Sequence, residues 1–97
     1  MYYIYIHHMY QYIVEFIGTF IFLSVILTSG QALPIAIALA AAIYFGGAIS
    51  GGHFNPAVTV MKYFAKSISA QESAIYIVAQ VLGGLAALYF YKNAKAQ

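Results

Sequence analysis

Cysteine is absent from the 97 residues, and so are arginine and aspartate. Without cysteine there is no disulfide framework and no thiol-ligated metal, and the redox compartment cannot be read from the chain. Without arginine there is no basic run. Lys62, Lys66, Lys92 and Lys95 stand against Glu15 and Glu72 for a formal net charge of +2, so nothing points to a nucleic-acid partner. Charge of either sign is scarce: 6% of residues carry it, against roughly 25% in a soluble domain. With 64% hydrophobic residues, a chain this short could not hide its apolar surface from water, and the class is integral membrane. The first eleven residues contain no Lys or Arg and do not look like a cleavable signal peptide. No nucleophile–base pair, metal-ligand cluster or phosphate loop occurs, which argues against an enzyme, and no cofactor is implied.

What is present reads as helices. Residues 1–11 alternate aromatic and polar groups (Tyr2, Tyr3, Tyr5, His7, His8, Tyr10), the composition of an interfacial lead-in. Adjacent His7 and His8 point to different sides of a helix, which speaks against a metal site within one chain. A spanning helix is expected over about 9–27, since near 20 apolar residues cross a bilayer. Thr28, Ser29, Gly30 and Gln31 end it with turn chemistry. Pro34 fits the first turn of a second spanning helix, about 33–49. Its small residues recur every four positions (Ala38, Ala42, Gly46, Ser50), a pattern that lets helices approach closely in lipid. A third spanning helix covers about 73–91, with Ala79, Gly83 and Ala87 on one face.

Between the second and third spans lies Ser50-Gly51-Gly52-His53-Phe54-Asn55-Pro56-Ala57-Val58. Two glycines and an Asn-Pro pair would break any spanning helix. Broken backbone at membrane depth is tolerated only where protein buries it or a water-filled cavity receives it. Residues 50–66 are therefore expected to form a re-entrant loop and half-helix, with Lys62 and Lys66 marking the return to water. Asn55 suits an N-cap and Pro56 the first helical position. The Asn55 oxygen can accept from the N–H of Ala57 or Val58, leaving its NH2 as a fixed donor. Aspartate would cap equally well but present charge and no donor. The half-helix directs about half an elementary positive charge at the same spot, which welcomes a neutral oxygen and repels a cation. An extended backbone over Gly51 to Phe54 would offer successive carbonyls as acceptors. His53 either adds a polar group near an entrance or satisfies local backbone.

Two polar residues interrupt the apolar helices. A carboxylate at Glu15 costs a few kcal/mol within a span, about 3 on insertion scales, and invites a functional reading. It is expected to accept hydrogen bonds from N–H groups left unpaired in the broken stretch. The alternative is a later helix start, near Tyr12, with Glu15 at the interface. Gln80 is expected to hydrogen-bond a neighbouring helix and not to touch solute.

These stretches resemble the aquaporin family, the major intrinsic proteins. Glu15-Phe-Ile-Gly18-Thr19-Phe20 is similar to the family's first-helix signature, Ser50 to Val58 to its first Asn-Pro-Ala loop, and Ala79-Gln80-Val-Leu-Gly83-Gly84 to its third helix. The resemblance implies an all-α membrane protein with three transmembrane helices and one re-entrant half-helix. That is half of an inverted-repeat fold in which two half-helices meet at the midplane. Residues 1–97 would be a single half-domain. The resemblance further implies that Asn55, in the Asn55-Pro56-Ala57 motif, is the pore donor. The carbonyls of Gly51, Gly52, His53 and Phe54 form a polar stripe, Glu15 braces the loop, and Phe22, Ile35 and Leu39 are pore-wall residues. Ile35 stands where water-selective members usually carry phenylalanine, which suggests a wider or more apolar constriction.

The family's filter arginine follows a second Asn-Pro-Ala, and this chain has neither. One repeat cannot enclose a pore. The expectation is a passive channel for water and small neutral solutes such as glycerol, working only with a second half. That half would come from an antiparallel homodimer or a partner chain, with higher oligomers open. The family orientation places the N-terminus in the cytoplasm. Lys62 and Lys66 balance Lys92 and Lys95 across the membrane, which permits dual orientation. The competing expectation is a non-conducting membrane fragment that packs against another protein.

Overall fold

Between Tyr2 and Thr28 the chain has no proline and a single glycine, Gly18, and this whole run forms one helix, α1 (Tyr2–Thr28). The computed structural model describes the backbone of residues 2–96 and the side chains of residues 9–95. The His7–His8 pair therefore lies outside the described side chains. Residues 2–11 continue α1 as helix ahead of its apolar span, which begins at Met9. After a turn through Ser29 and Gly30 comes α2 (Ala32–Ser50), with Pro34 in its first turn. Then follow α3 (Pro56–Phe64) and α4 (Ala70–Ala96).

The last helix starts earlier than its apolar run. Ser69 Oγ accepts the Glu72 N–H at 3.1 Å, and Glu72 Oε1 accepts the Ser69 N–H at 3.2 Å. This reciprocal capping box satisfies two donors that a helix start leaves free. It begins α4 three residues before the expected 73. At the other end α4 runs on past Tyr91 through its lysines.

Three segments are long and apolar enough to cross a membrane: Met9–Thr28, Ala32–Ser50 and Ala70–Lys95. The 19 residues of α2 rise about 28 Å, close to the hydrocarbon thickness of about 30 Å. The nine residues of α3 rise about 14 Å, half of that. Among the described residues there is no strand. The fold is all-α: three spans and one half-length helix.

Helix α1 is the centre. It packs against α2 on one side and α4 on another, while α3 lies on α4. Small residues make both α1 seams. On α2, Ala38, Gly46 and Ser50 are buried and Ala42 is half-buried. A Cβ at Gly46 would stand 2.6 Å from Val14 Cγ1. On α4, Ala79, Gly83 and Ala87 are buried, and a Cβ at Gly83 would stand 2.7 Å from the Phe16 carbonyl oxygen. Lipid tails are as apolar as leucine, so such seams hold by close dispersion contact and hydrogen bonds. Large apolar side chains point outward instead: Leu33, Tyr44, Phe45 and Phe64 are all more than 70% exposed.

Candidate functional site

The chain leaves α2 by a left-handed turn. Gly51 has φ +89° and its N–H bonds to the Gly47 oxygen at 2.8 Å. Gly52 follows at φ +68° and Phe54 at φ +53°. The loop is thus not the extended backbone that the sequence suggested. Its φ angles turn two successive N–H groups inward, where an extended strand would alternate them. The His53 N–H reaches Glu15 Oε2 at 3.0 Å and the Phe54 N–H reaches Glu15 Oε1 at 2.8 Å. A side chain in the left-handed region costs about 1–2 kcal/mol. At Phe54 that cost is offset by the hydrogen bond and by a ring buried between α1 and α2. A Cβ at Gly18 would overlap that ring, and one at Gly46 would come within 3.3 Å of it.

Glu15 is the hub. It is fully buried, at 0% exposure, with α1 running well past it on both sides. Besides the two backbone donors, Ser50 Oγ donates to Oε2 at 2.7 Å and Gln80 Nε2 donates to Oε1 at 2.9 Å. Four donors meet an acceptor-only group, two on each oxygen, which is the arrangement a carboxylate accepts best. The four come from α2, the loop and α4, so one side chain of α1 ties three parts of the chain together.

A second layer holds the half-helix. Gln80 Nε2 also donates to Thr59 Oγ1 at 2.8 Å, and His53 Nδ1 lies 2.9 Å from the same oxygen. Because Glu15 can only accept, the amide nitrogen of Gln80 must face it, and the amide oxygen is turned away. That oxygen and Thr19 Oγ1 are buried without a partner among the described residues. His53 is only 8% exposed, its ring 4.9 Å from that of Tyr76. It is buried within the bundle, and its ring's partner is the Thr59 hydroxyl and not backbone. No group of three His, Asp or Glu side chains gathers among the described residues.

Asn55 caps α3 in extended backbone geometry, with Oδ1 accepting the Ala57 N–H at 2.8 Å. Pro56 and Ala57 are exposed beside it. No hydrogen bond within the described residues uses Asn55 Nδ2, and none ends on the carbonyls of Gly51, Gly52, His53 or Phe54. Asn55 and Pro56 open on a cleft of about 500 Å³ between α1 and α4, walled by Phe22, Leu27, Leu85 and Leu88. Phe22 is thereby brought to Asn55. Ile35 and Leu39 are half-buried on α2 and do not line this cleft, because α2 packs on α1 alone.

Two residues of the network, Thr59 and Tyr76, are not singled out by the sequence: Thr59 is one turn beyond Asn55 and Tyr76 one turn before Gln80. Ser50 stands out there as a small residue and as the start of the broken stretch, not as a donor to Glu15. A polar side chain one helical turn from an already suspected one is the signal for the first two.

Comparison with known proteins agrees with this geometry. The family model described as Major intrinsic protein matches residues 6–97. The glycerol uptake facilitator protein-like 6 of Lactiplantibacillus plantarum is 42% identical over 86 residues, covering 79% of this chain. Aquaporin Z of Photorhabdus laumondii is 44% identical over 69 residues, covering 70% of this chain. The chain spans 40% of the length of the first relative and 30% of the second. No solved structure matches it. The chain belongs to the major intrinsic protein family, and its three apolar helices make it an integral membrane protein.

Proposed function

We propose that residues 1–97 act as one half of a passive transmembrane channel for water and small neutral solutes such as glycerol. A second half, inverted across the membrane, completes the pore. It comes from the same polypeptide, a second copy or another chain. The observation that carries this reading is Asn55. Its oxygen is used by the Ala57 N–H, its Nδ2 is left as a donor, and it stands at the positive end of α3 facing a cleft. A water or hydroxyl oxygen arriving there accepts from Nδ2, and its O–H donates a hydrogen bond to the unpartnered carbonyls of residues 51–54. Because the donor and the helix dipole are both fixed, the site favours oxygen lone pairs and repels a proton or cation.

In this reading the four-donor grip of Glu15, with Gln80, holds the loop so that its carbonyls stay available. Phe22 forms one wall of the path. Ile35 and Leu39 are assigned to the wall by family resemblance, and Ile35 leaves more room than a phenylalanine would. The names of the two relatives, one a glycerol facilitator and one an aquaporin, support both solute classes. The N-terminus is proposed to face the cytoplasm. If the second half is a second copy, the balanced lysines let chains insert both ways.

Osmotic shrinkage of liposomes holding the purified protein tests the reading. Native protein is expected to speed shrinkage over empty vesicles, and Asn55→Asp to abolish the gain. If native protein shrinks vesicles no faster than Asn55→Asp does, a pore built from two copies of this chain falls; if it still does so when reconstituted together with a second half, the channel reading falls and a non-conducting membrane protein that packs on another chain takes its place.

A further inference from the structure

Helices α2 and α4 do not pack on each other among the described residues: α2 lies on α1 alone, and α4 on α1 and α3. One hydrogen bond nevertheless joins them. The Tyr76 hydroxyl donates to the Ser50 carbonyl oxygen at 2.7 Å. Ser50 is the last residue of α2, so this carbonyl is one that a helix leaves without an internal partner. The same residue's Oγ donates to Glu15 at 2.7 Å and accepts the Gly52 N–H at 3.1 Å. Ser50 is therefore the junction at which helix becomes loop, held by its side chain from α1 and by its backbone from α4.

Tyr76 is built into that place. It is 2% exposed, its ring lies against His53, and it meets Tyr12 edge-on at 5.8 Å between centroids. Gln11 Oε1 also lies 3.2 Å from the Tyr76 hydroxyl. A phenol has one proton to give, and the shorter contact, to Ser50, takes it. Tyr76 and Gln80 are one turn apart on the same face of α4. Gln80 grips the far side of the loop through Thr59, and Tyr76 grips the near side through Ser50. Together they span the residues whose carbonyls face no partner.

We infer that Tyr76 is a positioning residue for the pore loop: its hydroxyl sets where Ser50 releases the chain, and hence where the carbonyls of residues 51–54 and Asn55 stand. The inference rests on the channel reading above for its effect on permeation, but not for its effect on the loop. Tyr76→Phe keeps the ring and removes only the hydroxyl, and Tyr12→Phe, whose hydroxyl has no partner among the described residues, is the control. Amide hydrogen exchange at His53 and Phe54 is expected to rise about tenfold in Tyr76→Phe and to stay unchanged in Tyr12→Phe. The glycerol-to-water permeability ratio per folded molecule is expected to shift about twofold or more.

Unchanged exchange at His53 and Phe54 overturns the inference. So does faster exchange with an unchanged ratio in conducting protein, which would make Tyr76 merely structural. Faster exchange in Tyr76→Phe, where native protein itself conducts nothing, supports Tyr76 as the loop's anchor and removes the two-copy pore alone. Should Tyr76→Phe not fold, isotope-edited infrared spectroscopy of the Ser50 carbonyl in native protein decides: a hydrogen-bonded frequency supports the inference and an unbonded one overturns it.

Discussion

Gly83→Ala probes the seam on which the site depends. A Cβ there would stand 2.7 Å from the Phe16 oxygen, 3.2 Å from the Phe20 nitrogen and 3.3 Å from Thr19 Cβ. The first two are backbone atoms of α1 and cannot swing aside. Ordinary contact begins near 3.4 Å, so the helices must part locally by about 0.7 Å. Three residues earlier, Gln80 Nε2 meets Glu15 Oε1 at 2.9 Å. The same retreat would stretch that contact to about 3.6 Å, where it no longer counts as a hydrogen bond. Overpacking costs about 1–3 kcal/mol, and losing the buried bond adds about 1–3 kcal/mol. Alanine's better helix propensity returns about 1 kcal/mol. The expected net destabilisation is about 1–5 kcal/mol.

Gly84→Ala supplies the internal control. Its Cβ would meet only Leu23 Cδ1, at 2.8 Å, the tip of a flexible side chain. It gains the same propensity, so its stability should stay within about 1 kcal/mol of native. Denaturant unfolding in mixed micelles, followed by circular dichroism, compares the two variants directly. Equal stability within about 0.5 kcal/mol would refute the claim that α1 and α4 meet backbone to backbone at Gly83.

Glu15→Gln keeps the shape but replaces two acceptor oxygens by one oxygen and an NH2. The amide can keep Phe54 and Gln80 on its oxygen, and Ser50 Oγ can turn to the Gly46 oxygen 3.4 Å away. The His53 N–H is then left facing a donor, and its exchange is expected to rise about tenfold or more; unchanged exchange would count against the hub. Thr59→Val removes the oxygen shared by Gln80 and His53 at a fully buried position. It should destabilise by about 1–3 kcal/mol, whereas Thr59→Ser, which keeps the hydroxyl, should retain more of the stability in the same unfolding assay. Gly18→Ala must expel the Phe54 ring that now occupies the space. Osmotic shrinkage and loop exchange should both change, and native values for both would place the ring elsewhere.

Much of this molecule is legible without a structure because it depends on near neighbours in the chain. Three apolar runs near 20 residues make three spans, since only a helix satisfies its own backbone in lipid. Asn55 and Pro56 start a helix through a bond to a residue two positions away. The four-residue spacing of Ala38, Ala42, Gly46 and Ser50 predicts a close seam because side chains four apart share a face. The Ser69–Glu72 capping box is equally local, and it starts α4 ahead of its apolar run.

Tertiary structure decided the rest because the partners lie far apart in sequence. Glu15 gathers donors 35, 38, 39 and 65 residues away, and no periodicity names them. The left-handed turns at Gly52 and Phe54 follow from that gathering: the backbone adopts dihedrals it would otherwise avoid because two N–H groups must reach one carboxylate. The His53 ring meets Thr59, six residues on, only once the loop is drawn in against α1 and α3 starts beside it. Tyr76 and Ser50, 26 residues apart, meet only because α1 brings α2 and α4 to its two sides. The sequence by itself determined which backbone groups would be left unpaired in lipid; the fold decided which side chains would satisfy them, and so which carbonyls are left without a partner among the described residues.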